Sequence, residues 1–213
     1  METAVPEDLA QLARKRAAGF PVEGFLYGQG SMDPRFMIIG EAPGETELGK
    51  GHPFSGRAGK ELNKFLENLG VSREEIYITS VFRSRPWKEV TKVSKKTGEA
   101  VTKRYNRPPT AKELLAHAPV IDHEIQTLDP PFILAMGNIA LHRLLGNTET
   151  ISQAHGKLYR GPIRYLKDLD AEEYEWTEKE YIIYPTFHPA SVFYNRKLEE
   201  TIYNDLREFK KLI

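Results

Sequence analysis

The sequence contains no cysteine. Disulfides, thiolate metal sites, thiol nucleophiles and cysteine-bound clusters are thereby excluded. No apolar run approaches the ~20 residues of a bilayer-spanning helix. The stretch Met1 to Arg16 is mixed in charge and lacks an apolar core, so secretion is not expected and a cytoplasmic location is. There is no internal repeat and no low-complexity tail. Neither a Gly-x-Gly-x-x-Gly nor a Walker-type loop is present, which argues against a nucleotide-binding protein of those classes. Net charge is also missing, with 30 basic and 30 acidic side chains. Because nucleic-acid-binding domains usually carry a basic excess, the mean charge argues weakly against DNA.

What is present is segregated. Lys88 to Arg107 holds Lys88, Lys92, Lys95, Lys96, Lys103, Arg104 and Arg107 against Glu89 and Glu99, and so is strongly basic. Lys167 to Glu180 holds Asp168, Asp170, Glu172, Glu173, Glu175, Glu178 and Glu180 against Lys167 and Lys179, and so is strongly acidic. Screening limits exposed charges to about 10 Å of reach, so a locally positive face is compatible with zero net charge. The 213 residues, 40% of them hydrophobic, suit one domain over residues 1–213, with a basic insertion at about 88–107 and an acidic one at about 167–180.

Four short continuous apolar runs, Arg35–Gly40, Ile76–Phe82, Phe132–Gly137 and Tyr181–Thr186, read as strands covered on both faces. Between them lie helical patterns. Arg57–Leu69 places Ala58, Leu62, Phe65, Leu66 and Leu69 three and four apart and ends at Gly70. Thr110–Leu128 opens on a Thr110/Glu113 capping box. Ile139–Leu145 is short and closed by Gly146, and Leu198–Leu212 ends the pattern. The alternation predicts an α/β fold, a three-layer α/β/α sandwich with a central four-stranded, mainly parallel sheet. Val90–Arg104 reads as an extra hairpin or a mobile loop, and Lys157–Glu180 as a hairpin-like stretch running into the acidic segment.

In open parallel sheets ligands bind beyond the carboxyl ends of the strands. The loops leaving those ends are Gly40–Glu47 running on to His52–Gly56, Ser80–Pro86, Gly137-Asn138, and Thr186–Ser191. Glycine and proline after a strand are ordinary, but Glu41 directly follows a buried strand, where a carboxylate needs a partner or a task. His188 holds the same position after the fourth strand; it suits a structural hydrogen bonder and a catalytic group about equally. Phe54 suits the core, or a platform for a flat ligand.

These loops, in this order, resemble those of the uracil-DNA glycosylase superfamily, and family 4 in particular. The resemblance rests on Gly40-Glu41-Ala42-Pro43-Gly44 with Glu47, on Pro53 to Gly59, on Tyr77 to Pro86, on Asn106-Arg107-Pro108 with Glu113, and on Phe187-His188-Pro189-Ala190-Ser191. It runs from about Tyr27 onward. Three departures stand out. The family's cluster cysteines fall near Ala13, Arg16, Ser84 and His117, so no cluster, metal or other cofactor is expected. The family's uracil-reading asparagine falls on Ser80, whose hydroxyl makes fewer contacts than a carboxamide. The segment Val90–Arg104 has no counterpart.

The resemblance implies hydrolysis of the N-glycosidic bond of uracil, or a related deaminated base, flipped out of DNA. Phe54 would stack on the base, backbone around Gly40, Ala42, Pro43 and Gly44 would hold its carbonyls, and Ser80 would lie at its edge. His188 would donate to the departing anion, and Glu41, with Glu47 as second choice, would position water. Ser191 would grip phosphate, Val192 or Phe193 would wedge into the stack, and Arg83, Arg85 and Arg107 would contact flanking phosphates. A monomer acting on DNA, away from membranes, is expected. The basic insertion is either a solvated loop or a DNA clamp. Ser80 keeps open an alternative preference for hypoxanthine, xanthine or another damaged base. A non-catalytic DNA-binding relative is the third reading, which retention of Glu41, Glu47, Phe54 and His188 together disfavours.

Overall fold

A computed structural model describes residues 2–93 and 98–213. Lys95 and Lys96 of the basic insertion, with Thr97 of its centre, lie outside the described residues. In chain order the elements are α1 (Glu7–Arg16), β1 (Val22–Glu23), β2 (Gln29–Gly30), β3 (Met37–Gly40), α2 (Glu45–Lys50), α3 (Arg57–Leu69), β4 (Tyr77–Ser80), β5 (Arg85–Val93) and β6 (Ala100–Asn106). There follow α4 (Ala111–Leu128), β7 (Ile133–Met136), α5 (Asn138–Leu145), α6 (Ile151–Ala154), β8 (Tyr159–Tyr165), β9 (Glu175–Thr186), a 3-10 turn (Pro189–Phe193) and α7 (Lys197–Phe209).

The main sheet runs β2-β4-β3-β7-β9-β8. Its four inner strands are parallel and coincide with the four apolar runs, while β2 and β8 pair antiparallel at the edges. The expected four-stranded sheet is therefore corrected to six mixed strands. The edges escape a hydrophobicity reading because an edge strand needs only one bonded neighbour and little buried surface. A second sheet, β1-β5-β6, carries the basic insertion as an antiparallel hairpin.

Strands β3, β4 and β7 bury every residue, as strands covered on both faces must. One face packs on α3 and α7 through Leu62, Phe65, Leu66, Ile202, Leu206 and Phe209. The other packs on α4 and α5 through Ile121, Ile125, Ala140 and Leu144. Full burial of such side chains contributes about 1.5–3 kcal/mol each. Helix α3 stops at Gly70, which is left-handed at φ 73°. In α4 the capping box forms as expected, with Glu113 accepting from the Thr110 amide at 2.7 Å and Thr110 accepting from the Glu113 amide at 3.3 Å.

The positions matching the family's cluster cysteines form an ordinary packed joint. Pro119 lies inside α4 and has no N–H to give to the carbonyl four residues back, Leu115. Arg16, at the end of α1, donates to the Leu115 and Ala116 carbonyls at 3.1 Å each. Ser84 donates to the Gly24 carbonyl at 2.6 Å. His117 accepts from the Arg83 amide at 3.0 Å and lies 4.2 Å from the Phe82 ring, while Ala13 is buried beneath α4. Burial, with the guanidinium groups of Arg83 and Arg16 nearby, pushes the His117 imidazole down to about 3.

Candidate active site

Strand register fixes where the site lies. Gly40 is opposite Ser80, Ile39 opposite Ala135, and Met136 opposite Thr186, so the four parallel strands finish level at one edge. The loops leaving them line a small, partly open pocket. Glu41, Glu47, Phe54, Ser80 and His188 line it together with Ala42 and Pro43. Leu26 and Pro53 complete the wall and were not singled out from sequence. Leu26 precedes the two-residue strand β2, where no periodicity exists to mark it.

Phe54 is held in a conformation most residues avoid. Its φ is 50°, and such left-handed backbone costs about 1–3 kcal/mol unless its surroundings enforce it. Arg73 enforces it, donating to the Phe54 carbonyl at 3.1 Å and to the Pro53 carbonyl, and is itself held by Asn63 at 3.1 Å. The ring lies across Gly40, where a Cβ would come within 2.6 Å of the ring carbon Cζ. Beneath the loop, a Cβ on Gly59 would lie 1.6 Å from the Phe54 carbonyl oxygen. Both glycines are needed for close approach rather than for flexibility. The Phe54 ring stacks on His188, with centroids 5.5 Å apart and planes 30° from parallel.

His188 accepts a hydrogen bond at Nδ1 from the Ala190 amide, 3.2 Å away. That bond requires an unprotonated Nδ1, so the neutral ring carries its proton on Nε2. Burial pushes its titration down to about 4, which keeps the imidazole neutral near pH 7. The Glu41 carboxyl is moved the other way: burial raises it above its usual range. Its side chain has no ion-pair or hydrogen-bond partner among the described residues. Glu47 behaves differently. It accepts from the Gly44 amide at 2.9 Å, clasping the loop as α2 begins. Since Pro43 lacks an N–H and the Gly44 amide is taken, the Ala42 amide is the one from residues 42–44 left open to a ligand. Gly44 thereby shapes the loop rather than donating to a base. Ser80 donates its hydroxyl proton to the Phe82 carbonyl at 2.9 Å, so its oxygen offers lone pairs to the pocket.

The arginine expectations are corrected. Arg83 is 1% exposed and paired with the buried Glu124, which also accepts from Tyr77 and Thr79. Arg85 is buried and bonds Glu23 at 2.6 Å, Asn106 at 2.6 Å and Glu45 at 3.4 Å. Arg107 is half-buried and forks onto Glu113 at 2.5 and 2.7 Å. Burial keeps a phosphate from Arg83 and Arg85, and all three guanidiniums are paired with carboxylates that bind the fold together. Val192 is corrected as well: at 7% exposure it belongs to the core beside α3 and α7. Phe193, at 39%, lies under Arg57 at 4.5 Å, and Tyr194, missed from sequence, projects at 92%. The Ser191 hydroxyl is buried without a partner.

A doubly covered sheet whose carboxyl edge gathers these loops suits the Uracil DNA glycosylase superfamily. The superfamily profile matches residues 27–209, and the chain belongs to that family. It is 30% identical over 190 residues to the type-4 uracil-DNA glycosylase of Sulfurisphaera tokodaii, covering 87% of this chain and 73% of the relative. It is 31% identical over 191 residues to that of Thermotoga maritima (88% and 82%). With that of Pyrobaculum aerophilum the identity is 33% over 186 residues (85% and 80%).

Proposed function

We propose that this protein is a DNA-repair enzyme that hydrolyses the N-glycosidic bond of uracil in DNA. The observation that carries the reading is His188, a neutral imidazole whose Nδ1 is occupied and whose Nε2–H is left for the pocket. Glycosidic cleavage produces an anionic base and an oxocarbenium-like sugar. A positioned donor at the base oxygen stabilises the anion without giving up its proton in the ground state. The Ala42 amide is a second donor, and Phe54 a stacking wall. Glu41, as its carboxylate, orients water on the sugar side and offsets the positive charge there. Glu47 supports this indirectly by holding Gly44 and the loop that carries Glu41. Exposed Phe193, one of the two residues expected to wedge into the stack, takes that position with Tyr194 in place of buried Val192.

Ser80 fits uracil better than its lost carboxamide suggests. With its proton given to Phe82, the hydroxyl offers an acceptor, which suits the N3–H of uracil and opposes the unprotonated N3 of cytosine. The same acceptor suits the N1–H of hypoxanthine, so that base is the second reading. No helix among the described residues is long and apolar enough to cross a membrane. The protein acts as a monomer in the cytoplasm.

The test is cleavage of labelled oligonucleotides carrying uracil in single strands, in U·G pairs and in U·A pairs, with parallel sets for hypoxanthine and xanthine. Uracil excision lost in Glu41→Ala is expected. Cleavage only at another base would move the substrate to the second reading. DNA binding with no cleavage anywhere would sink the catalytic assignment.

A further inference from the structure

The basic insertion is two-faced, and strand register separates the faces. In the antiparallel pair β5-β6, Lys88 is opposite Tyr105, Val90 opposite Lys103, and Lys92 opposite Val101. Directly opposed residues share a face, as do alternate residues along a strand. One face therefore carries Lys88, Lys92 and Lys103 with Tyr105, Val90 and Val101. The other carries Trp87, Glu89, Thr91, Thr102 and Arg104.

The charged groups of the second face are paired internally. Arg104 lies 3.9 Å over the Trp87 ring and bonds Glu89 at 3.3 Å and Glu23 at 3.6 Å, while Thr91 and Thr102 bond at 2.8 Å. Those of the first face are not. Its three lysines are exposed, and none forms an ion pair among the described residues. One of them, Lys92, rests 5.5 Å from the Tyr105 ring. Lys88 and Lys92 are four residues apart, or about 13 Å along the strand, with Lys103 between them on the partner strand.

The root of this ribbon is locked to the pocket. Arg85 ties Asn106 to Glu45 at the start of α2, and a Cβ on Gly44 would meet the Asn106 amide nitrogen at 2.8 Å. The basic ribbon follows β4, next to one edge of the main sheet, whereas the acidic segment lies between β8 and β9 at the other. Charge is thus polarised across the molecule with its positive end beside the site.

We propose that the Lys88–Lys92–Lys103 face of the hairpin is a docking ribbon for duplex DNA flanking the damaged nucleotide, entering a groove with its lysines on phosphates. The charge is complementary, and a two-stranded ribbon fits a B-DNA major groove. The inference rests on the reading of the protein as one that acts on DNA.

The experiment measures affinity of the intact protein for a short uracil-free fluorescent duplex as a function of KCl, beside uracil excision. The variants are K88S/K92S/K103S, the single K103S, and a charge-matched control, K167S/K179S/K211S. Three lost phosphate contacts should make the slope of log K against log [KCl] shallower by about two to three. Affinity at moderate salt should drop tenfold or more, with the excision rate at saturating DNA kept and the control unchanged. Unchanged slopes in both lysine variants, or an equal change in the control, would overturn the ribbon while leaving glycosylase activity intact. Competition by polyglutamate equal to that by DNA would also overturn it, pointing to an acidic protein instead. Loss of binding in the ribbon variants of a protein that excises nothing would uphold the ribbon and overturn the glycosylase.

Discussion

Replacing Gly59 by alanine tests whether the Phe54 loop is built or incidental. Gly59 lies in the first turn of α3, where alanine would ordinarily stabilise a helix by about 1 kcal/mol. Here the added Cβ would lie 1.6 Å from the Phe54 carbonyl oxygen and 2.2 Å from its carbonyl carbon. Both are backbone atoms, so no side chain can swing aside. Restoring ordinary contact moves Phe54 by more than about 1 Å, and Arg73, Gly40 and His188 are all packed on that loop. A misplacement of that size costs about 100-fold in rate, and overpacking costs about 1–3 kcal/mol in stability. The assay is single-turnover excision from a uracil oligonucleotide, with thermal melting followed by circular dichroism. Gly49→Ala is the matched control, since its Cβ meets nothing within 4 Å and it lies in helix α2. It should keep activity and melt no lower than the parent. A folded Gly59→Ala protein excising within a few-fold of the parent would refute the reasoning.

Other outcomes follow from the same geometry. His188→Ala should lower the excision rate about 10²–10³-fold with DNA affinity little changed, because it removes a donor to the departing anion. Arg83→Met should destabilise by about 3–5 kcal/mol in denaturant titration, leaving an uncompensated Glu124, whereas a phosphate-contacting arginine would cost affinity and not stability. The folded His117 titrates at about 3 against an ordinary 6.5. Between those values the unfolded chain binds a proton that the folded chain does not, so stability falls as pH is lowered through that window. His117→Phe should flatten the melting temperature between pH 6.5 and 4, and an unchanged pH slope would exclude this histidine as the source. Tyr194→Ala should slow excision from duplex more than from single strands, since unstacking is needed only in the former; an equal loss on both would remove it from the wedge role.

Much of the sheet is legible in the sequence because a strand covered on both faces must be apolar throughout, and four such runs occur. The site is legible for a related reason: polar and glycine-rich residues immediately after those runs have only one edge to occupy. Of the antiparallel edge strands, Gln29–Gly30 escapes because it is too short to show a period, while Tyr159–Tyr165, within the stretch read as hairpin-like, is left out of the expected sheet because it mixes polar and apolar residues. The arginines mislead for another reason. Sequence records a charge but not its partner: Arg83 and Arg85 find theirs in Glu124 and Glu23, distant along the chain, and Arg107 in Glu113, which the sequence marks only as a cap. Val192 is buried and Tyr194 exposed because a tight 3-10 turn, not an extended loop, sets which side chain points outward. The Leu115 carbonyl freed by Pro119 finds Arg16, a pairing 99 residues apart that no local pattern signals.

The stacking of Arg104 on Trp87 places an indole at the root of the basic ribbon. The chain's only other tryptophan is Trp176, half exposed on β9, one strand in from the far edge of the sheet. Trp176→Phe would leave a single emitter, Trp87, whose emission energy is set by a guanidinium charge tied to the ribbon itself. Intrinsic fluorescence would then follow movement of the ribbon on a ligand in real time, with no label and no chemistry at the pocket.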